Sequence, residues 1–268
     1  MRVKTKLQTE PFMKQEVEKL YLVESFYSIQ GEGRFAGTPS VFLRFGGCNL
    51  NCAGFGVEQI SPLDGSTLLG CDSIRATFTK HYKHLWKKIA SYEDIVLEVQ
   101  KHLKNSCKPD IVITGGEPLL HHDNPIMIEF LSIMIKKGYK ITFETNATIM
   151  IDFEKYPIYH DITFAMSVKL KNSGESYQNR IYHDRIKNLA LNSKDSFFKF
   201  VIDKQTKDNS EIKDIVGDLK LPIYCMPKGA TSRELSYHDR YVADFCINFC
   251  YNYCDRMHIR LWDNMEGK

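Results

Sequence analysis

The sequence predicts an α/β fold built on parallel strands, from three observations. Short apolar runs alternate with amphipathic stretches along most of the chain, distinctive polar residues recur just after those runs, and no internal repeat or low-complexity tract breaks the alternation. After an opening strand candidate around Leu22 to Phe26, the runs are Val41 to Phe45, Asp110 to Thr114, Lys140 to Thr145, Ile162 to Val168, Phe197 to Ile202 and Pro222 to Met226. Helical patterns lie at Ser91 to Lys104, Pro125 to Lys137, Ser176 to Leu191, Ser210 to Leu219 and Ser232 to Tyr253. The first is typical: Ser91 is a capping residue, Glu93 and Asp94 suit the positive end, and Ile95, Val96, Val99 and Leu103 share one face. The link after Thr145 lacks a long helix, and a further apolar run, His258 to Trp262, follows the last helix and is expected as a strand.

Six strand–helix repeats either close part of a barrel or stay an open doubly wound sheet. Both architectures place the active site at the carboxyl ends of the strands. Cys48, Gly115, Asn146, Lys169 and Lys228 each follow one of the runs, so the polar residues are expected at one mouth.

At 268 residues, with 43% hydrophobic and 26% charged residues, the chain is long enough for one large domain spanning residues 1–268. The formal charge of +3, from 36 Lys and Arg against 33 Asp and Glu, gives no reason to expect a nucleic-acid or membrane partner. The N-terminal stretch MRVKTKLQTEPFMKQEVEKL has no apolar signal core and no run of 18 or more apolar residues occurs, so a soluble cytoplasmic protein is expected. The stretch 53–88 holds Gly54, Gly56, Pro62, Gly65 and Gly70 with no periodic pattern and reads as a long functional loop. Its basic half, with Arg75, Lys80, Lys83, Lys87 and Lys88, reads as a solvated cationic flap.

Eight cysteines without a secretion signal read as reduced thiols or metal ligands. Cys48 and Cys52 follow a strand ending in Gly46 and Gly47, where flexible backbone can wrap a metal group, and Cys71 lies further on. By spacing alone they fit small buried hydrophobes, structural zinc completed by His81 or His84, or an iron–sulfur cluster. Cys246, Cys250 and Cys254 form a rival set at i, i+4, i+8, but they alternate with Val242, Phe245, Phe249 and Tyr253 and read as helix packing. Cys107 and Cys225 stand alone.

The run FYSIQGEGRFAGTPSVFLRFGGCNLNC, followed by GCDS, TGGEP, FETNAT, SVK and CMPKGATSREL, resembles the 7-carboxy-7-deazaguanine synthases of the radical S-adenosylmethionine superfamily. The resemblance spans about Tyr21 to Trp262 and keeps the family's motif order. It implies a partial (β/α)6 TIM-like barrel of the radical S-adenosylmethionine type. It also implies an enzyme, a carbon–nitrogen lyase, that contracts 6-carboxy-5,6,7,8-tetrahydropterin to 7-carboxy-7-deazaguanine with release of ammonia, on the route to queuosine and other 7-deazapurines. Another radical chemistry on the same scaffold, such as glycyl-radical activation, is the alternative.

Residue by residue, the resemblance implies a [4Fe-4S] cluster on Cys48, Cys52 and Cys71, with an insertion before the third ligand, and Mg²⁺ on Ser73, where the family has threonine. For S-adenosylmethionine it implies Gly70, Asp72, Gly116, Glu117, Glu144, Asn146, Ser167, Val168, Lys169, Cys225, Met226, Pro227 and Lys228. For the pterin it implies Ile29, Gln30, Gly31, Glu32, Arg44 and Thr114. The edge donors and acceptors of Gln and Glu suit a flat heterocycle, and Arg44, set in an apolar strand, suits a bidentate bond to the substrate carboxylate or else an internal salt bridge. His258 falls where the family often carries a histidine near the substrate mouth. A homodimer and an external electron donor such as flavodoxin or ferredoxin complete the expectation.

Overall fold

The computed structural model describes residues 19–103, 107–263, 265 and 267. Its frame is a nine-stranded sheet whose two ends do not meet. Strands β1 (Leu20–Ile29) and β2 (Pro39–Phe45) form an antiparallel hairpin. A small antiparallel pair follows, β3 (Val57–Ile60) with β4 (Thr67–Gly70), then β5 (Lys87–Ile89), which runs along the outer side of β1. From β2 the sheet continues in parallel through β6 (Asp110–Gly115), β7 (Ile141–Thr145), β8 (Thr163–Met166), β9 (Phe197–Ile202) and β10 (Ile223–Pro227) to the short β11 (Asn252–Tyr253). The six expected parallel strands are therefore present, in sequence order.

The helices are α1 (Ile74–Thr77), α2 (Thr79–Tyr82), α3 (Tyr92–Gln100), α4 (Pro125–Lys136), α5 (Tyr177–Arg180), α6 (His183–Asn192), α7 (Ser210–Val216), α8 (Ser232–Phe249) and α9 (Met257–Trp262). Helix α3 begins with the expected cap: Ser91 and Asp94 form a capping box. Asn124 caps α4 through Ile126 N–H, with Pro125 at the first helical position, where a missing N–H costs nothing. Lys104, the expected end of α3, lies outside the described residues. No helix among the described residues is long and apolar enough to cross a membrane.

Alternation along the parallel strands sorts the two faces of the sheet. Leu43, Ile113, Phe143, Phe164, Phe198 and Phe200 point to one face and are fully buried with Phe130 and Leu131 of α4 and Val242 of α8. The intervening residues Arg44, Thr114, Glu144 and Lys199 line a cavity on the other face. The polar residues Arg44, Thr114, Glu144 and Lys199 within these apolar runs thus fall on the face that bounds the site.

Four expectations need correction. His258 to Trp262 is helical, as α9, because Met257, His258, Ile259, Arg260, Leu261 and Trp262 bury one residue, Ile259, and leave Leu261 58% exposed, which a sheet strand would not do. The stretch 53–88 is structured: β3–β4 and α1–α2 bury Leu68, Ile74, Tyr82 and Trp86 as a second small core against Tyr21 and Val23 of β1. Helix α8 stops at Phe249, where Cys250 takes the left-handed conformation at φ 56°, so the three late cysteines do not share a helix. Cys246 is buried, Cys250 is exposed, and Cys254 is buried beyond the helix, accepting a bond from Gly33 N–H. The pattern Ser176 to Leu191 likewise breaks in two, α5 and α6.

Candidate active site

The cavity at the carboxyl ends of the strands has a volume of about 550 Å³. Cys48, Cys52 and Cys71 all line it. Cys48 and Cys52 come from the loop after β2, and Cys71 follows the β3–β4 hairpin directly, so the hairpin returns the chain to its starting point. That closes the apparent gap between the second and third cysteines: Val57 pairs with Gly70, which places Cys71 beside the loop that carries Cys52.

The cysteine loop is tightly shaped. Cys52 sits at φ 53° and ψ 44°, a left-handed conformation that costs an L-residue about 1–2 kcal/mol. Its own N–H and that of Asn51 are both held at 2.7 Å by Glu175 Oε1. Behind the loop, Gly115 and Gly116 allow backbone contact: a Cβ at Gly116 would lie 2.2 Å from Gly47 O and 2.6 Å from Cys48 Cβ. Burial pushes the Cys48 and Cys52 thiols up to about 12, and that of Cys71 upward as well. Thiols held this way keep their protons until a cation displaces them.

Among the described residues, no three His, Cys, Asp or Glu side chains converge closely enough to hold one metal ion. A single zinc needs its donors about 2.3 Å from one point, whereas each thiolate of an iron–sulfur cube meets its own iron. Three thiols on one cavity wall suit a cube of that kind.

Glu117 is fully buried and faces into the protein. Its carboxylate accepts from Leu119 N–H at 2.9 Å, Thr145 Oγ1 at 2.8 Å and Asn146 N–H at 2.6 Å. Burial pushes its carboxyl up to about 7, against the pull of those bonds. It therefore fixes the end of β7 from behind. Asn146 does reach the cavity, and its Oδ1 accepts from Thr148 N–H at 3.0 Å, a local turn bond.

Opposite the cysteines lies a chain of charges. Lys199 Nζ bonds Glu32 Oε2 at 2.8 Å and Glu144 Oε1 at 2.9 Å, while Arg256 Nε bonds Glu32 Oε1 at 2.7 Å and Arg256 Nη2 pairs with Asp72. Burial alone would disfavour the Lys199 charge, but Glu144 and Glu32 overcome it and raise its pKa. The same burial opposes Glu32, and Lys199 and Arg256 hold it well below the usual carboxylate range. Gln30 closes the group, with Oε1 accepting from Glu32 N–H at 3.1 Å. His258 stands over Gly31, and burial lowers its pKa.

Arg44 is already partnered: Nε bonds Glu24 Oε1 at 2.8 Å and Nη1 bonds Ser73 Oγ at 3.0 Å. Its internal ion pair and a place on the cavity wall coexist, since Glu24, Arg44 and Ser73 all line the cavity.

Of the sequence-predicted residues, the cavity also gathers Ile29, Gln30, Gly31, Glu32, Thr114, Asp72, Gly116, Glu144, Ser167, Lys169, Met226 and Lys228. Gly70, Glu117, Val168, Cys225 and Pro227 do not line it; Val168 and Cys225 point to the core. Sequence reading missed Lys199, Arg256, Met265 and Gly267, all on the wall. Lys199 carried a signal, a lysine inside the apolar run Phe197 to Ile202; Arg256 carried none.

The chain is similar to several known proteins. A 4Fe-4S single cluster domain family matches residues 29–189. A protein of Halobacterium salinarum named 7-carboxy-7-deazaguanine synthase is 31% identical over 264 residues, 90% of each chain. Namesakes from Aquifex aeolicus and Rhodopirellula baltica are 32% and 28% identical, over 69% and 92% of this chain and 65% and 88% of their own. The crystal structure of QueE from Escherichia coli shares the fold, with a TM-score of 0.62, 19% identity, and coverage of 90% of this chain and 95% of that one. With a cluster domain across more than half its length and a 31% identical synthase matched over 90% of both chains, the chain belongs to the 7-carboxy-7-deazaguanine synthase family.

Proposed function

We propose that this enzyme, a single domain over residues 1–268, contracts 6-carboxy-5,6,7,8-tetrahydropterin to 7-carboxy-7-deazaguanine and releases ammonia. The observation that carries the reading is that Cys48, Cys52 and Cys71 border the same cavity as Gln30, Glu32 and Arg44. The cysteines would hold a [4Fe-4S] cluster, and Gly116, Asn146, Ser167, Lys169, Met226 and Lys228 would bound S-adenosylmethionine. When bound, that pair supplies one-electron radical chemistry. Glu117 would act indirectly, by setting the backbone at Asn146.

The remaining wall would hold the pterin. Gln30, Glu32 and Glu144 offer acceptors and a donor to the edge of the ring, and Arg44 offers its guanidinium to the carboxylate once Glu24 shares it. Ser73 Oγ, beside Arg44 and Asp72, would give Mg²⁺ a hard oxygen ligand, with water and substrate oxygens as others. The cavity walls would orient the reacting carbon. A homodimer in the cytoplasm, supplied by flavodoxin or ferredoxin, completes the reading. Glycyl-radical activation is not favoured, because the relatives matched over most of this chain are named 7-carboxy-7-deazaguanine synthases.

Anaerobic turnover tests it: the reconstituted protein, given the carboxypterin, S-adenosylmethionine and reductant, should release 7-carboxy-7-deazaguanine and ammonia, faster with Mg²⁺. A fully loaded cluster with no product from this substrate would refute the assignment.

A further inference from the structure

The loop after β8 touches the cysteine loop backbone to backbone. A Cβ at Gly54 would lie 2.4 Å from Asn172 O and 2.6 Å from Gly174 N, so the two loops pack with no side chain between them. From the loop after β8, Glu175 reaches across, and its Oε1 alone accepts both Asn51 N–H and Cys52 N–H at 2.7 Å. The carboxylate is delivered by a braced segment. Arg180, buried, bonds Glu175 O at 3.2 Å and Lys169 O at 2.8 Å and pairs with Glu211 at 2.6 Å. Ser173 is fully buried, with its Oγ accepting from Glu175 N–H at 3.3 Å. Lys228 Nζ adds a bond to Gly54 O at 2.7 Å from the other side.

We infer that Glu175 is a positioning residue for the iron–sulfur cluster: its carboxylate presets the left-handed turn at Cys52, so that this thiol is aimed before the cluster binds. The inference rests on the proposed role of Cys52 as a cluster ligand. The physical reason is economy of ordering. Cys52 must adopt a conformation that L-residues avoid, and an unbraced loop would have to be ordered when metal binds. Two charge-assisted bonds to adjacent N–H groups are strong enough to hold it beforehand. Both bonds end on cluster-loop backbone, so what the Glu175 side chain fixes is that loop.

Because one oxygen accepts both bonds, an amide oxygen can replace it, and that separates positioning from charge. The full chain and its Glu175→Gln and Glu175→Ala variants would be loaded with iron and sulfide without air, then exposed to an iron chelator. Iron release should be about tenfold faster in Glu175→Ala than in the parent, and within about twofold of the parent in Glu175→Gln. The electron paramagnetic resonance signal of the reduced cluster should broaden in the alanine variant and persist in the glutamine variant. Thermal melting of the metal-free proteins would show whether the alanine variant folds, and if it does not, the glutamine variant decides by its release rate. Equal release from all three proteins, or release from Glu175→Gln as fast as from Glu175→Ala, overturns the inference. A parent protein that takes up no iron would instead sink the cluster reading itself.

Discussion

Arg256 and Glu32, 224 residues apart in the chain, meet as a 2.7 Å ion pair on the cavity wall. Arg256 ties its own segment to three others, because it also pairs with Asp72, next to Cys71, and donates to Gly229 O after β10. Only 11% of the Arg256 side chain and 13% of that of Glu32 are exposed, so neither charge has water to fall back on.

Removing Arg256 should therefore be costly. In Arg256→Met, Glu32 keeps Lys199, and Asp72, whose side chain is 51% exposed, can turn to water, so the loss should be about 1–3 kcal/mol. The expected result is a lower urea midpoint with an unchanged slope, together with a higher KM for the pterin. Arg256→Lys should recover part of the stability and little of the binding, since an ammonium cannot span Glu32, Asp72 and Gly229 together. A midpoint within about 0.5 kcal/mol of the parent for the methionine variant would show that the pair is solvated in solution.

Lys199 gives a prediction in pH. It lies between Glu32 and Glu144 and is 3% exposed. In the parent, Glu32 has a folded pKa below its ordinary 4.5, so its contribution to stability is present above that pH and is lost as pH falls through the folded value. In Lys199→Met Arg256 still holds Glu32, but the two carboxylates lose the cation between them, and one pKa of the pair should rise above its unfolded value. The sign then reverses: that carboxyl favours the folded state at low pH and disfavours it as pH rises through the new value. The deficit relative to the parent should be about 3–5 kcal/mol near pH 8 and clearly smaller near pH 5, read from urea unfolding at both. A deficit independent of pH would mean that the carboxylates do not interact.

How much of this was legible beforehand follows from where the information sits. The parallel strands were readable because both faces of each are enclosed, which makes Phe197 to Ile202 or Asp110 to Thr114 stand out as apolar runs. The cavity residues were readable where they follow a strand end, as Cys48 and Asn146 do. The β3–β4 hairpin had a signal in Asp64–Gly65 between Ile60 and Leu68, a turn pair between short strands, which the glycine and proline content around it hid. Glu175 had none, since its bonds go to backbone N–H groups that every residue but proline carries. Arg256 was unreadable for a related reason: its meaning depends on Glu32 and Asp72, which only the folded chain brings near.

Glu98 supplies an acid-stability prediction away from the cavity. It is 5% exposed and accepts from Lys87 at 2.6 Å, Lys101 at 2.7 Å and Ser25 at 2.8 Å, tying α3 to β5 and β1. Burial by itself would raise its pKa, but the bonds from Lys101, Lys87 and Ser25 prevail and bring the carboxyl down to about 2 from 4.5. A depressed carboxyl contributes stability above its unfolded pKa and loses it as pH falls through the folded one. The parent should therefore lose stability between about pH 4.5 and 2 more steeply than Glu98→Gln, which has no charge to lose there. Parallel acid titrations followed by circular dichroism would show it, and coincident curves would remove Glu98 from the account.

The final prediction concerns Gly31 and His258, one on the segment after β1 and the other on α9. A Cβ at Gly31 would stand 2.0 Å from His258 Nδ1 and 2.8 Å from its Cγ, closer than any real contact, so the imidazole occupies the space a side chain would need. Gly31→Ala must displace either the histidine ring or the segment that carries Gln30 and Glu32. Either shift disturbs the pterin wall, and overpacking of this kind costs about 1–3 kcal/mol. Pterin binding should weaken at least about tenfold, which corresponds to 1.4 kcal/mol. Combining it with His258→Ala removes both ring atoms from the clash and leaves the backbone nitrogen of residue 258, at 3.0 Å, as the nearest remaining atom, so the double variant should bind more tightly than Gly31→Ala alone. A double-mutant cycle on pterin affinity measures this coupling, and strict additivity would show that the two residues do not meet. Gly116→Ala provides the contrast. Its first obstacle is Gly47 O, backbone at 2.2 Å, which no second side-chain substitution can clear, and that variant should lose cluster binding without rescue.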